Sequence, residues 1–197
     1  MNLAFFASYN GSSAHAITDA CLAGDLIASP VLMISNNESA KAFEWAENKG
    51  LKTSCLNSIK YPDPTELDTA IAEKLKEQKI NIVICSGYMK LIGPRTLDAV
   101  DGNILNIHPA LLPKYGGKGM YGRHVHQAVK ENGDNETGCT IHLVNDEYDE
   151  GKILAQKKIP VDPSDSAEDI EEKVKAAEPD LYIETLKKIL KGDIKLD

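Results

Sequence analysis

At 197 residues, with a formal charge of −8 and a pI near 5.2, the chain has the length of one ordinary domain and lacks the basic field that a general nucleic-acid surface requires. Its 42% hydrophobic and 26% charged residues match soluble globular averages, and its longest apolar runs fall well short of the ~20 residues of a membrane span. The expected partners are small molecules, with no nucleic acid and no membrane.

The start, "MNLAFFAS", has no basic n-region or small-residue cleavage site, so a cytoplasmic location is expected. "LAFFAS", "SPVLMIS" at 29–35, "LKTSCL" at 51–56 and "INIVIC" at 80–85 are short apolar runs, each followed by a segment with helical spacing. Ala14, Ile17 and Cys21 mark one helical face, and Leu67, Ile71 and Leu75 another. "INIVIC" is apolar on both faces, as a central parallel strand must be. The alternation predicts an α/β fold, a Rossmann-like open, mostly parallel twisted sheet with helices on both faces, which binds ligands at the carboxyl ends of its strands.

After "NILNIH" at 103–108 come a Gly-rich loop, a helix near 121–131, and "GCTIHLV" and "KILAQKKIPV", read as a strand pair joined by the acidic turn "NDEYDEG". A final helix begins at Ser166, its N-cap, and turns Ile170, Val174, Ala177 and Leu181 inward; Pro179 predicts a kink or break within it. No repeat or linker-like shift interrupts the chain, so a single domain over 1–197 is expected. The four cysteines are far apart in apolar company and read as reduced core thiols.

Three stretches carry chemistry. In "SYNGSSAHA" at 8–16, Asn10 and Gly11 permit a tight turn, and Ser12 or Ser13 can cap a helix whose free N–H groups favour an anion. Neither a G-x-G-x-x-G nor a P-loop spacing is present, and a merely well-capped helix is the competing reading. Asn106 and His108 leave the same face of a strand, where an amide donor beside an imidazole suits a carbonyl under nucleophilic attack. Among Asp146, Glu147, Asp149 and Glu150 is a candidate carboxylate to orient His108, with a solvated acidic loop as the alternative. His142 reads as a satisfied core histidine, with a buttress for the acidic loop as the alternative. His15, His124 and His126 lack metal-ligand spacing, so no metal is expected.

With "NGSS", "SGYMKLIGP" at 86–94, "LNIHPALLPKY" at 105–115 and "GCTIHLVNDEYDEGKIL" at 138–154, the sequence resembles the phosphoribosylglycinamide formyltransferase family nearly end to end; the second and third stretches are shared with the wider folate-dependent formyltransferase superfamily. The resemblance implies 10-formyltetrahydrofolate as co-substrate and 5-phosphoribosylglycinamide as acceptor, with no metal, in a monomer or homodimer. It selects Asn106, His108 and Asp149 as the catalytic group. It assigns Asn10, Gly11, Ser12, Ser13, Lys175 and Glu178 to the ribonucleotide. To the folate it assigns Met89, Lys90, Leu91, Ile92 and Asn106, together with Val144, Asn145, Asp146 and Glu147. The chain departs from the family at Ser13, usually Asn, at Lys90, more often Arg, and in "GGKGMYGRHVH", a longer Gly-rich segment that reads as a flap. Alternative readings are a formyltetrahydrofolate hydrolase and a non-catalytic folate- or nucleotide-binding module.

Overall fold

The structure, a computed structural model, describes residues 1–196. In chain order the elements are β1 (Asn2–Phe6), α1 (Ser12–Leu22), β2 (Ser29–Ser35), α2 (Lys41–Asn48), β3 (Lys52–Cys55), α3 (Pro64–Glu77), β4 (Ile82–Cys85), α4 (Pro94–Asp98), β5 (Ile104–His108), α5 (Arg123–Glu131), β6 (Glu136–Leu143), β7 (Ile153–Pro160) and α6 (Ala167–Lys191). The strands are hydrogen-bonded in the order β3-β2-β1-β4-β5-β6-β7. β1 runs parallel to β2 and β4, β2 runs parallel to β3, and β6 and β7 are antiparallel. The expected α/β architecture is therefore present, with the strand order reversing between β1 and β4. Two compact units make up the chain, Met1–Leu105 with Leu196, and Asn106–Lys195.

In the first unit the register pairs Leu3 with Ile82 and Phe6 with Cys85, and every residue of those two strand segments is buried. A strand covered on both faces has no place for alternating polar residues, which is why β1 and β4 read as continuous apolar runs. α3 starts where Asp63 accepts from the Thr65 N–H (2.8 Å) ahead of Pro64, and it buries Ile71, Ala72 and Leu75. Its Asp68 accepts from the Arg95 and Thr96 N–H groups (2.9 and 3.0 Å) and so caps α4, close against Gly93, where a Cβ would overlap the carboxylate.

In the second unit the β6–β7 ladder runs from Glu136↔Pro160 to His142↔Ile153. Gly138 is needed there because a Cβ would overlap the Lys157 carbonyl. α6 opens with a capping box, in which Ser166 Oγ accepts from the Asp169 N–H (3.2 Å) and Asp169 Oδ2 accepts from the Ser166 N–H (2.8 Å). Three expectations need correction. The helix is continuous through Pro179, because buried Val174 and Ala177 before it and Leu181 and Tyr182 after it belong to one apolar stripe. α5 begins at Arg123 and not at Tyr121, since Gly122 precedes it with φ 53°. β3 is confined to Lys52–Cys55.

Ser166→Ala removes the reciprocal cap of the longest helix. It is expected to cost about 1 kcal/mol, read as a lower urea midpoint with an unchanged denaturant slope.

Candidate active site

Within the second unit, strand periodicity sends Asn106 and His108 from one face of β5. The segment that follows is fastened at several points. Thr140 Oγ1 on β6 donates to the Ala110 carbonyl (2.6 Å) and accepts from the Leu112 N–H (3.1 Å), while Gln156 on β7 donates to the Leu112 carbonyl (2.9 Å). Tyr115 sits in the left-handed region at φ 59°. Its hydroxyl donates to Asp134 (2.7 Å) and accepts from Asn132 (3.0 Å), and Lys114 bonds both oxygens of Asp134. These contacts fix the Tyr115 carbonyl 2.7 Å from His108 Nε2. A carbonyl only accepts, so Nε2 carries a proton and Nδ1 is the nitrogen left for other work.

His108 Nδ1 lies 3.4 Å from Asp149 Oδ2, which also accepts the Gly117 N–H at 3.0 Å. Asp149 adopts φ 59°, a conformation that aspartate tolerates better than most residues. On its other side Asp149 Oδ1 stands 3.5 Å from His142 Nε2. His142 Nδ1 donates to the Leu143 carbonyl (2.9 Å), leaving Nε2 to accept from the Asn106 amide nitrogen at 3.1 Å. His142 is buried and hydrogen-bonded, as expected of a satisfied core histidine, and its ring also lies between Asn106 and Asp149. Thr140 and His142 share a face of β6 as Asn106 and His108 do on β5.

Burial pushes the Asp149 carboxyl up, but hydrogen bonding and charge from the His108 ring, with the Gly117 N–H, outweigh it and hold the group well below the usual carboxylate range. Glu178 shows the opposite balance. Burial raises it to about 7 against the opposing charges of Lys175 and His108.

The remaining expected residues of this unit are less engaged. Lys175 is exposed and paired with Glu171 on its own helix. Val144 is half-buried, whereas Asn145, Asp146 and Glu147 form an exposed turn in which Asn145 Oδ1 accepts from the Glu147 N–H (3.2 Å). His126 is buried and His124 exposed, so the two point apart. No group of three or more His, Cys, Asp or Glu among the described residues could hold a metal ion.

In the first unit the Asn10–Gly11 turn joins β1 to α1. Gly11, at φ 68°, is itself the N-cap and has no side chain to cap with, while Ser86 Oγ accepts from the Ala14 N–H (3.2 Å); Ser12 is exposed and Ser13 buried. The expected cap from Ser12 or Ser13 is therefore absent. A left-handed glycine sets the entry, and a Cβ there would come within 3.3 Å of Ala7 Cβ and 3.4 Å of Ala42 Cβ. Ser8 ties the turn to its surroundings. It donates its N–H to the Gly87 carbonyl (3.0 Å) and its hydroxyl to Asn36 (2.6 Å), and its hydroxyl accepts from the Met89 N–H (2.9 Å).

A cleft of about 310 Å³, lined by Ser8, Tyr9, Asn36, Asn37, Met89 and Lys90, opens where β1, β2 and β4 end. That is the switch-point position at which doubly wound sheets bind ligands. Of the four expected folate contacts in this unit, Met89 and Lys90 line the cleft; Leu91 is 64% exposed and Ile92 half-buried. Sequence reasoning missed Asn36 and Asn37, although "SNN" directly after an apolar strand was the available sign.

The partners of the His108 and His142 rings are an amide, a carboxylate and backbone carbonyls. Such a set can stabilise an oxyanion and move a proton, on an α/β scaffold. The chain belongs to the formyl transferase family, whose profile residues 1–186 match. It is 34% identical to the phosphoribosylglycinamide formyltransferase of Haemophilus influenzae, over 98% of this chain and 89% of that one. It is also 37% identical to the chloroplastic phosphoribosylglycinamide formyltransferase of Arabidopsis thaliana, of which it spans 66%. The crystal structure of glycinamide ribonucleotide transformylase 1 from Symbiobacterium toebii superposes with a TM-score of 0.92 at 30% identity, covering 100% of this chain and 91% of that one.

Gly151 packs so tightly that a Cβ would overlap the Leu143 carbonyl. Gly151→Ala is expected to cost about 1–3 kcal/mol in a denaturant melt and, by displacing Asp149, about a hundredfold in activity. For Glu178 the folded value of about 7 lies above the ordinary 4.5, so its stability contribution is intact below 4.5 and lost as pH rises towards 7. Glu178→Gln should therefore gain on the parent in melting temperature between these pH values and hold a constant lead above them.

Proposed function

We propose that the chain transfers the formyl group of 10-formyltetrahydrofolate to the glycinamide amine of 5-phosphoribosylglycinamide, a step of de novo purine biosynthesis, as a single cytoplasmic domain that needs no metal. The observation that carries this reading is the run of contacts from Asn106 through His142 and Asp149 to His108. The names of its relatives support the choice of substrates.

The amine attacks the formyl carbon and the carbonyl oxygen becomes an oxyanion. An amide nitrogen has two N–H groups; His142 takes one from Asn106, and the other stabilises the oxyanion. A His108 ring protonated at both nitrogens donates through Nε2 to the Tyr115 carbonyl and presents its second proton at Nδ1, beside the developing charge. Asp149 stays ionised at neutral pH because of its low pKa. It takes the proton that the amine loses and passes it, directly or through water, to the folate nitrogen. The new C–N bond forms at the amine as the C–N bond to the folate breaks, and the proton count closes.

Phosphate is taken up at Asn10–Ser13 by the first N–H groups of α1. Lys175 and Glu178 contact the same substrate, while Met89–Ile92 and Val144–Glu147 serve the folate. Holding both substrates supplies the proximity that makes attack effectively unimolecular.

Asn106→Ala is expected to lower kcat by about 10²–10³-fold, the loss of one oxyanion donor, with ribonucleotide binding by titration nearly unchanged. In a spectroscopic assay, folate should turn over only when the ribonucleotide is present. Equal formate release without it would identify a hydrolase and overturn this reading.

A further inference from the structure

His15 takes no part in the chemistry above, yet it sits under the turn that begins α1. It is the fourth residue of that helix, and helical side chains lean back over the preceding turn, so its ring comes down beside Asn10 and Gly11. Burial holds the ring below the usual histidine range while the Asn10 backbone beside it works the other way, and the His15 N–H closes on the Gly11 carbonyl at 3.2 Å. One face of the imidazole stacks on Trp45 of α2, with centroids 3.9 Å apart and planes at 19°. Its Nε2 is buried with no hydrogen-bond partner among the described residues. α2 grips the same turn a second time, since the Ala42 N–H donates to the Tyr9 carbonyl (3.1 Å) and the Ala42 methyl walls off Gly11. The charged groups facing the ring are Asp19 on α1 and Lys49 just after α2, which neutralise one another in an ion pair at 2.7 Å.

The N-cap of α1 is a glycine with no side chain to fix it, and Ser86 Oγ takes only the Ala14 N–H (3.2 Å), so the Asn10–Gly11 turn and the N–H groups before Ala14 depend on what packs against them. We propose that His15, clamped by Trp45, is a positioning residue for the phosphate of the ribonucleotide. It holds the Asn10–Gly11 turn so that the first N–H groups of α1 converge on the anion. The inference rests on the reading of that turn as the phosphate site. Trp45 is the chain's one tryptophan, so its emission reports on this stack alone.

The test uses the full-length enzyme with ribose 5-phosphate as probe. In the parent the probe should compete with the ribonucleotide and change Trp45 emission saturably. His15→Ala should raise the KM for the ribonucleotide and the Ki of the probe together, by about tenfold, the factor that one hydrogen bond of ordinary strength supplies. The kcat and the KM for the formyl donor should not move. His15→Gln, whose flat amide can both stack and donate, should recover most of the loss. Should His15→Ala fail to fold, Trp45→Leu, which removes the stack and keeps the imidazole, is expected to raise the same KM. An unchanged Ki in a folded variant, or a fall in kcat with KM constant, would overturn the inference while leaving the phosphate site standing. A probe that fails to compete even in the parent would instead sink the phosphate reading itself.

Discussion

The arrangement depends on one half-buried carboxylate being kept ionised. Removing a charge from water is tolerated only when hydrogen bonds and opposite charge replace the lost solvation. For Asp149 they come from the His108 ring on β5 and the Gly117 backbone, with the His142 ring on β6 closing the other side. These residues are far apart in sequence, and the carboxylate is what they have in common. It also accounts for features that look like separate oddities. The left-handed backbone at Asp149 aims the side chain inward, and Gly151 lets the returning chain pass against the Leu143 carbonyl.

His108 is orientated from the opposite side by a carbonyl that is itself anchored. The Tyr115 hydroxyl is held by Asp134 and Asn132, and its backbone carbonyl takes the Nε2 proton. With the ring locked at that edge, Nδ1 is committed to the face where Asp149 lies. Thr140 and Gln156 hold the stretch between β5 and Tyr115 to the β6–β7 ladder, so the loop inherits the rigidity of a sheet. A site whose groups must be placed to a fraction of an ångström needs such support beneath the residues that meet substrate.

Much of this could be read from the sequence, and the limits have physical causes. β1 and β4 were legible because burial on both faces leaves an unbroken apolar run, and the Asn106–His108 pair because side chains two apart on a strand share a face. Spacing alone could not separate Asp149 from three neighbouring acids. What distinguishes it is a left-handed φ and a hydrogen bond to Gly117, 32 residues away, and it took a family resemblance to choose it. The partners of His142 were not legible, because a histidine buried for packing and one buried between an amide and a carboxylate leave the same trace in a strand. The serine cap failed for a related reason: "NGSS" fits a serine cap and a left-handed glycine equally well, and the tight fit of Gly11 against Ala7 and Ala42, which decides between them, is non-local.

An acidic protein that takes anionic substrates needs attraction that survives its own net charge of −8. Three basic side chains of the right charge are already committed, Lys114 to Asp134, Arg123 to Glu168 and Lys175 to Glu171. Under the proposed function, the backbone N–H groups at the start of α1 must therefore carry much of the phosphate recognition. The two electrostatic effects differ in range. The helix-end field acts within its first turn, whereas repulsion from the net charge is screened over about 8 Å at physiological ionic strength. Overall acidity thus bears mainly on the approach of substrate, while affinity is set where the N–H groups meet the anion. That division explains how a short, well-packed turn can do what a basic surface does elsewhere, and why the packing behind the turn matters as much as the residues in it.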